Sequence, residues 1–69
     1  MNITTNGEAV SIDPLTVQQY LVSLGIDPRR VAVELNMDIL PKAQYETTLL
    51  KDGDALEIVH FVGGGAGRG

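Results

Sequence analysis

The chain has no cysteine, no tryptophan and a single histidine, and its only other aromatic residues are two tyrosines and one phenylalanine. Without cysteine there can be no disulfide, no thiolate-held zinc, no iron-sulfur cluster and no thiol nucleophile. One histidine excludes a histidine-rich metal centre. Basic residues are also scarce: five against nine acids, for a net charge of −4 at pH 7 and a pI near 4.6. That balance argues against binding a phosphate backbone and favours a partner with a basic face. No apolar run approaches the roughly 20 residues of a membrane span. The opening stretch Met1 to Val10 has neither the basic start nor the apolar core of a leader peptide, so a cytoplasmic protein with no membrane or nucleic-acid partner is expected.

What is present fits one small domain. At 69 residues there is room for a single core, and a domain this size buries only about 60% of the surface its unfolded chain exposes. Hydrophobic residues at 43% and charged residues at 20% match globular composition. Met1 and Ile3 alternate with polar neighbours, Asn6-Gly7 supplies residues that tolerate positive φ, and Val10 and Ile12 alternate again, which predicts a hairpin of strands at about 1–5 and 8–12. Thr16 and Gln19 form a capping box, with Leu15 and Tyr20 at the spacing of a hydrophobic staple. Val17, Tyr20, Leu21 and Leu24 then recur at helical spacing, and Gly25 stands where a left-handed cap belongs, so a helix is predicted over 17–24.

After Asp27-Pro28, the run Val31 to Leu35 predicts a strand with one buried face, ended by Asn36. A short strand near 38–40 and one helical turn near 42–45 should follow. Asp52-Gly53-Asp54 predicts a turn with solvated acids rather than a cation loop. Leu56 to Val62 is apolar except for Glu57 and His60, as a central strand with neighbours on both sides requires. His60 is read as a residue at the sheet's end rather than an acid or base, and Arg29-Arg30 as part of the loop after the helix. Strand, strand, helix, strand, short strand, strand gives an α+β protein: a mixed sheet of four or five strands with one main helix on one face, the ubiquitin-like β-grasp arrangement.

From Gly63 the composition changes abruptly, with five of the chain's eight glycines in residues 63–69. The expected division is a domain at 1–62 and a flexible tail at 63–69. A side-chain-free segment can thread a narrow channel and present a terminal carboxylate to a reagent held inside another protein. Alternation along the last strand, with Leu56 and Ile58 toward the helix, turns Glu57, Val59 and Phe61 to the other face, where a partner could dock. The competing expectation is that residues 41–50 fold over them.

The stretches Leu40-Pro41-Lys42-Ala43-Gln44-Tyr45 and Leu49-Leu50-Lys51-Asp52-Gly53-Asp54, and above all Glu57-Ile58-Val59-His60-Phe61-Val62-Gly63-Gly64-Gly65, resemble the ThiS sulfur carriers of bacterial thiamine biosynthesis. The resemblance implies a carrier, not an enzyme, whose terminal glycine carboxylate is adenylated with ATP by an E1-like (ThiF-like) adenylyltransferase. The carboxylate then becomes a thiocarboxylate, and its sulfur goes to a ThiG-like thiazole synthase. ATP and the sulfur-donating persulfide would belong to partners, and the free carrier would be a monomer that binds no cofactor or metal. The implied reactive residue is Gly65, with Gly63 and Gly64 threading. Ala66-Gly67-Arg68-Gly69 departs from the family's Gly-Gly end, so either these residues are trimmed to expose Gly65 or they are an extension that the activating enzyme must tolerate; Gly69 is the less favoured alternative, since Arg68 would put a bulky side chain in the threading segment. Two other readings remain: a molybdopterin synthase small subunit, whose tail typically carries prolines that this one lacks, and a ubiquitin-like interaction module or modifier without sulfur chemistry.

Overall fold

A computed structural model describes residues 1–61; the expected tail at 63–69 lies outside the described residues. The strands are β1 (Asn2–Thr5), β2 (Glu8–Ser11), β3 (Val31–Leu35), β4 (Asp38–Leu40) and β5 (Ala55–His60), with α1 at Val17–Ser23 and short 3-10 turns at Pro28–Arg30 and Lys42–Gln44. They form one sheet in the order β2-β1-β5-β3-β4. β5 runs parallel to β1 and antiparallel to β3, so the mixed sheet has the last strand at its centre. Among the described residues no helix is long and apolar enough to cross a membrane.

The start of α1 leaves no orphan donor. Thr16 Oγ1 accepts from the Gln19 amide at 3.1 Å, while Gln19 Oε1 accepts from the Thr16 amide at 3.0 Å. The amides of Val17 and Gln18 donate to the carbonyls of Thr48 and Tyr45, and that of Tyr20 to Thr16. Segment 41–50 therefore serves as part of the helix cap, which ties it to the helical side of the sheet. At the other end Gly25 has φ +76°. Its amide bonds to the Val22 carbonyl and that of Ile26 to the Leu21 carbonyl, the paired closure in which a residue without a Cβ relieves the left-handed strain.

Both strand-to-strand turns carry an asparagine in the left-handed region, Asn6 (φ 49°) and Asn36 (φ 53°), each followed by a second positive-φ residue as a two-residue hairpin demands. These side chains flank β5. Asn6 accepts from the Ile58 amide at 2.7 Å and donates to the Ile58 carbonyl at 3.3 Å. Asn36 accepts from the Ala55 amide at 2.9 Å and donates to Asp54 Oδ1 at 3.0 Å. Two carboxamides thus continue the ladders of β1 and β3 along the central strand where the backbone has turned away.

This network overturns one expectation. Asp52 is exposed and accepts from the Asn2 amide, but Asp54 is buried, with Oδ2 accepting from the Lys51 amide at 2.8 Å. Its carboxylate closes the turn into β5 instead of facing solvent, because the Asn36 carboxamide and the Lys51 amide replace the water it loses.

The core lies between α1 and the sheet: Ile3, Val17, Tyr20, Leu21, Val31, Val33, Tyr45, Leu50, Leu56 and Ile58 are buried, with Leu15 packed against them. Tyr20 keeps its hydroxyl satisfied by Thr5 Oγ1 at 2.7 Å. Leu21 and Ile58 belong to this one cluster from opposite layers. Truncating either to alanine should cost about 2–5 kcal/mol, a large part of what so small a fold has. Thermal or denaturant unfolding of Leu21→Ala and Ile58→Ala measures it; wild-type midpoints would mean that the helix-sheet interface is not the main core.

Candidate functional site

Along β5 the even residues Leu56 and Ile58 are buried while Ala55, Glu57 and Val59 face outward. Val59 and Phe61 are each 57% exposed, and Ile39 on β4 is 78% exposed. Segment 41–50 leaves Val59 and Ile39 exposed and reaches this face only through Lys42, whose ammonium lies over the Phe61 ring; it buries Tyr45 and Leu50 in the core. In the register, Val59 stands opposite Ala32 and Glu57 opposite Glu34, which in turn pairs with Ile39. Two carboxylates directly across a strand pair repel each other. The outward face therefore combines apolar side chains with a carboxylate pair at the middle of the sheet, the electrostatic complement of a basic, partly apolar surface.

Of the residues singled out in the sequence, Glu57 and Val59 lie on β5 and Phe61 directly after it, and all three are exposed; Gly63, Gly64, Gly65 and Gly69 lie outside the described residues. His60 is exposed opposite Val31 at the end of the strand. Sequence reasoning missed Ile39 and Lys42. Strand alternation was the available signal for Ile39, since it sends Leu40 inward and Ile39 outward. For Lys42 there was none, because its role depends on chain segments 11 to 19 residues away. Its ammonium lies 4.8 Å from the Phe61 ring centroid and 2.6 Å from the Val31 carbonyl.

Beside Lys42 is a cavity of about 310 Å³ lined by Gln18, Asp27, Pro28, Arg29, Lys42, Tyr45 and Glu46. Burial pushes the Tyr45 phenol up from its ordinary value. Arg29 does not serve the cavity as a free cation: its side chain meets Asp27 in two bonds of 3.1 and 2.9 Å, and its amide also donates to Asp27 Oδ1. Those bonds, the side-chain ones first, lower the Asp27 pKa from 3.8 to about 2. Among the described residues no group of three histidine, aspartate or glutamate side chains gathers at metal-binding distance.

The sheet order, the single crossing helix and the exposed end of the central strand define a ubiquitin-like β-grasp domain. Comparison narrows this. The ThiS family model matches residues 2–65. The chain is 39% identical to the thiamine biosynthesis protein (ThiS) of Geobacter metallireducens in its crystal structure, with a TM-score of 0.81 over 94% of this chain and 100% of that one. It is 45% identical over 53 residues to the sulfur carrier protein ThiS of Bacillus subtilis, covering 77% of this chain and 80% of that protein. It is also 46% identical over 67 residues to a thiazole synthase of Paramagnetospirillum magneticum, covering 96% of this chain but 21% of that protein. The chain spans about a fifth of the length of the two thiazole synthases it matches. It belongs to the ThiS family.

The Asp27 pair gives a direct test by pH. A carboxyl whose folded pKa is depressed contributes stability that is present above its unfolded value and lost as pH falls through the folded one. Carboxyl NMR should place the Asp27 midpoint near 2, and Arg29→Ala should return it toward 3.8. An Asp27 midpoint that Arg29→Ala leaves in place would show that another group sets it.

Proposed function

We propose that this protein is the sulfur carrier of thiazole formation in thiamine biosynthesis, a co-substrate of its partners rather than an enzyme, with Gly65 as its reactive end once hydrolysis of the Gly65–Ala66 peptide bond has removed residues 66–69 and freed its carboxyl group. One observation carries the reading: the ThiS-family match runs through residue 65, so it takes in Gly63, Gly64 and Gly65, which follow β5 in the sequence after Phe61 and Val62. The match stops before Ala66 to Gly69, which favours Gly65 over Gly69.

The chemistry asks little of this chain and much of its partners. A carboxylate is a poor electrophile, and an E1-like adenylyltransferase supplies the missing leaving group by joining it to AMP, releasing pyrophosphate from ATP. The outer sulfur of a partner's persulfide then displaces AMP to give an acyl disulfide, a thiol of the partner cleaves its S–S bond and is left in a disulfide, and the thiocarboxylate so released passes its sulfur to thiazole synthase. Similarity to two thiazole synthases supports that last partner. The carrier's own tasks are to present a glycine carboxylate on a segment thin enough to enter an active site, and to dock. Docking on the face of Glu57, Val59 and Phe61 would aim the tail before the chemistry begins and so lower its orientational cost.

The test is incubation with an E1-like adenylyltransferase and ATP, comparing the full chain with one that ends at Gly65. The shorter chain should be adenylated. Phe61→Asp should fold normally, since the ring is 57% exposed, yet lose adenylation at sub-saturating enzyme. Deleting Gly64 and Gly65 should abolish it at any enzyme concentration. Normal activation of both variants contradicts the carrier reading, and unfolding of Phe61→Asp contradicts the docking face.

A further inference from the structure

Lys42 stands where three segments meet. It opens the 3-10 turn after β4, and its ammonium reaches across to the turn that leads into β3. Nζ lies 2.6 Å from the Val31 carbonyl, 3.3 Å from that of Arg29 and 3.5 Å from that of Pro28. The one carbonyl in this series that it leaves, Arg30, accepts the backbone amide of Phe61 at 3.0 Å. Four successive carbonyls are thus divided between the ammonium of Lys42 and the amide of Phe61. The same ammonium lies 4.8 Å from the Phe61 ring centroid and 5.9 Å from that of Tyr45, within the range where a cation is drawn to an aromatic face.

The charge pattern around it sharpens the point. Among the described residues the ion pairs are those of Arg29 and Arg30 with Asp27, so Lys42 is held by carbonyls and rings rather than by a carboxylate. A surface lysine ordinarily keeps its head in water and its stem mobile. Here the head is turned back onto Phe61, the last described residue, two positions before the first of the glycines. Tyr45, buried in the core, backs it from the far side and shares the Val31 carbonyl through its hydroxyl at 3.3 Å.

The geometry points to Lys42 as a positioning residue that fixes Phe61, the last described residue and part of the face on which an activating enzyme would dock. This rests on the carrier reading above. Lys42 touches no reacting atom; it acts by reducing the orientations available to the Phe61 ring, so that less freedom is lost when an activating enzyme docks on it. Its effect therefore belongs in KM for the carrier, not in kcat.

The experiment pairs Lys42→Met, which keeps the stem and removes the charge, with Lys42→Arg, which keeps a cation able to stack. In the free protein, hydrogen exchange of the Phe61 amide should quicken about threefold to tenfold in Lys42→Met, with core amides such as those of Val33 and Ile58 unchanged, and return to the wild-type rate in Lys42→Arg. In adenylation by an E1-like enzyme with ATP, Lys42→Met should raise KM for the carrier by a similar factor at constant kcat, and Lys42→Arg should restore it. Unchanged exchange at Phe61, unchanged KM, or exchange that quickens throughout the core together with a lower melting temperature would each overturn the assignment; the last would make Lys42 merely structural. If the wild-type protein is not adenylated at all while Phe61 exchange still responds to Lys42, the carrier reading fails and the hold on Phe61 stands.

Discussion

A single short helix covers one face of a five-stranded sheet, and the rest of the molecule is arranged around that constraint. With α1 on one side, the residues of β5 that alternate inward, Leu56 and Ile58, complete the core, and those that alternate outward have no layer to bury them. Segment 41–50 might have supplied that layer. It is instead drawn to the helical side, where its carbonyls cap the first turn of α1 and Tyr45 and Leu50 enter the core. Val59, Phe61 and Ile39 are left exposed, together with the opposed pair Glu34 and Glu57. A face with apolar side chains around repelling carboxylates gains by meeting a partner that brings both apolar surface and positive charge.

On the proposed carrier reading the last strand also needs to be held firmly, since the glycine segment follows it in the sequence. β5 is pinned on both sides by paired strands and then by two asparagine side chains that act as extra rungs of the ladder. Each occupies a left-handed turn, where asparagine is tolerated better than most residues, so one residue both makes the turn and pairs with the strand. Asp54 closes the entrance to β5 in the same way. At the exit the hold passes to Arg30 and Lys42, through a carbonyl and a cation over the ring of Phe61.

How much of this was legible in the sequence follows the range of the interactions. The Asn6-Gly7 turn, the Thr16 and Gln19 capping box, the glycine cap after α1 and the central place of β5, with a strand on either side, all rest on neighbours a few residues apart or on period, and each appears in the structure within a residue or two of its expected bounds. The outward turn of Glu57 and Val59 followed from alternation alone. The pairing of the Asn6 carboxamide with Ile58, 52 residues away, carried no local signal, and neither did Lys42 on Phe61. Asp54 was misread because its spacing resembles a solvated turn; its burial depends on the Asn36 side chain, 18 residues distant, together with the nearby Lys51 amide. The resemblance of the glycine end to ThiS carriers, seen in residues 57–65, agrees with a family match that extends over residues 2–65.

The central claim, that the glycine end is a carboxylate activated to carry sulfur, is tested most directly on protein recovered from thiamine-synthesising cells by intact and fragmentation mass spectrometry. The account predicts a fraction of molecules in which one oxygen has been exchanged for sulfur, with the exchange confined to the carboxyl group of Gly65. A carboxylate in every molecule, or the same end joined to the lysines of other proteins, would contradict it.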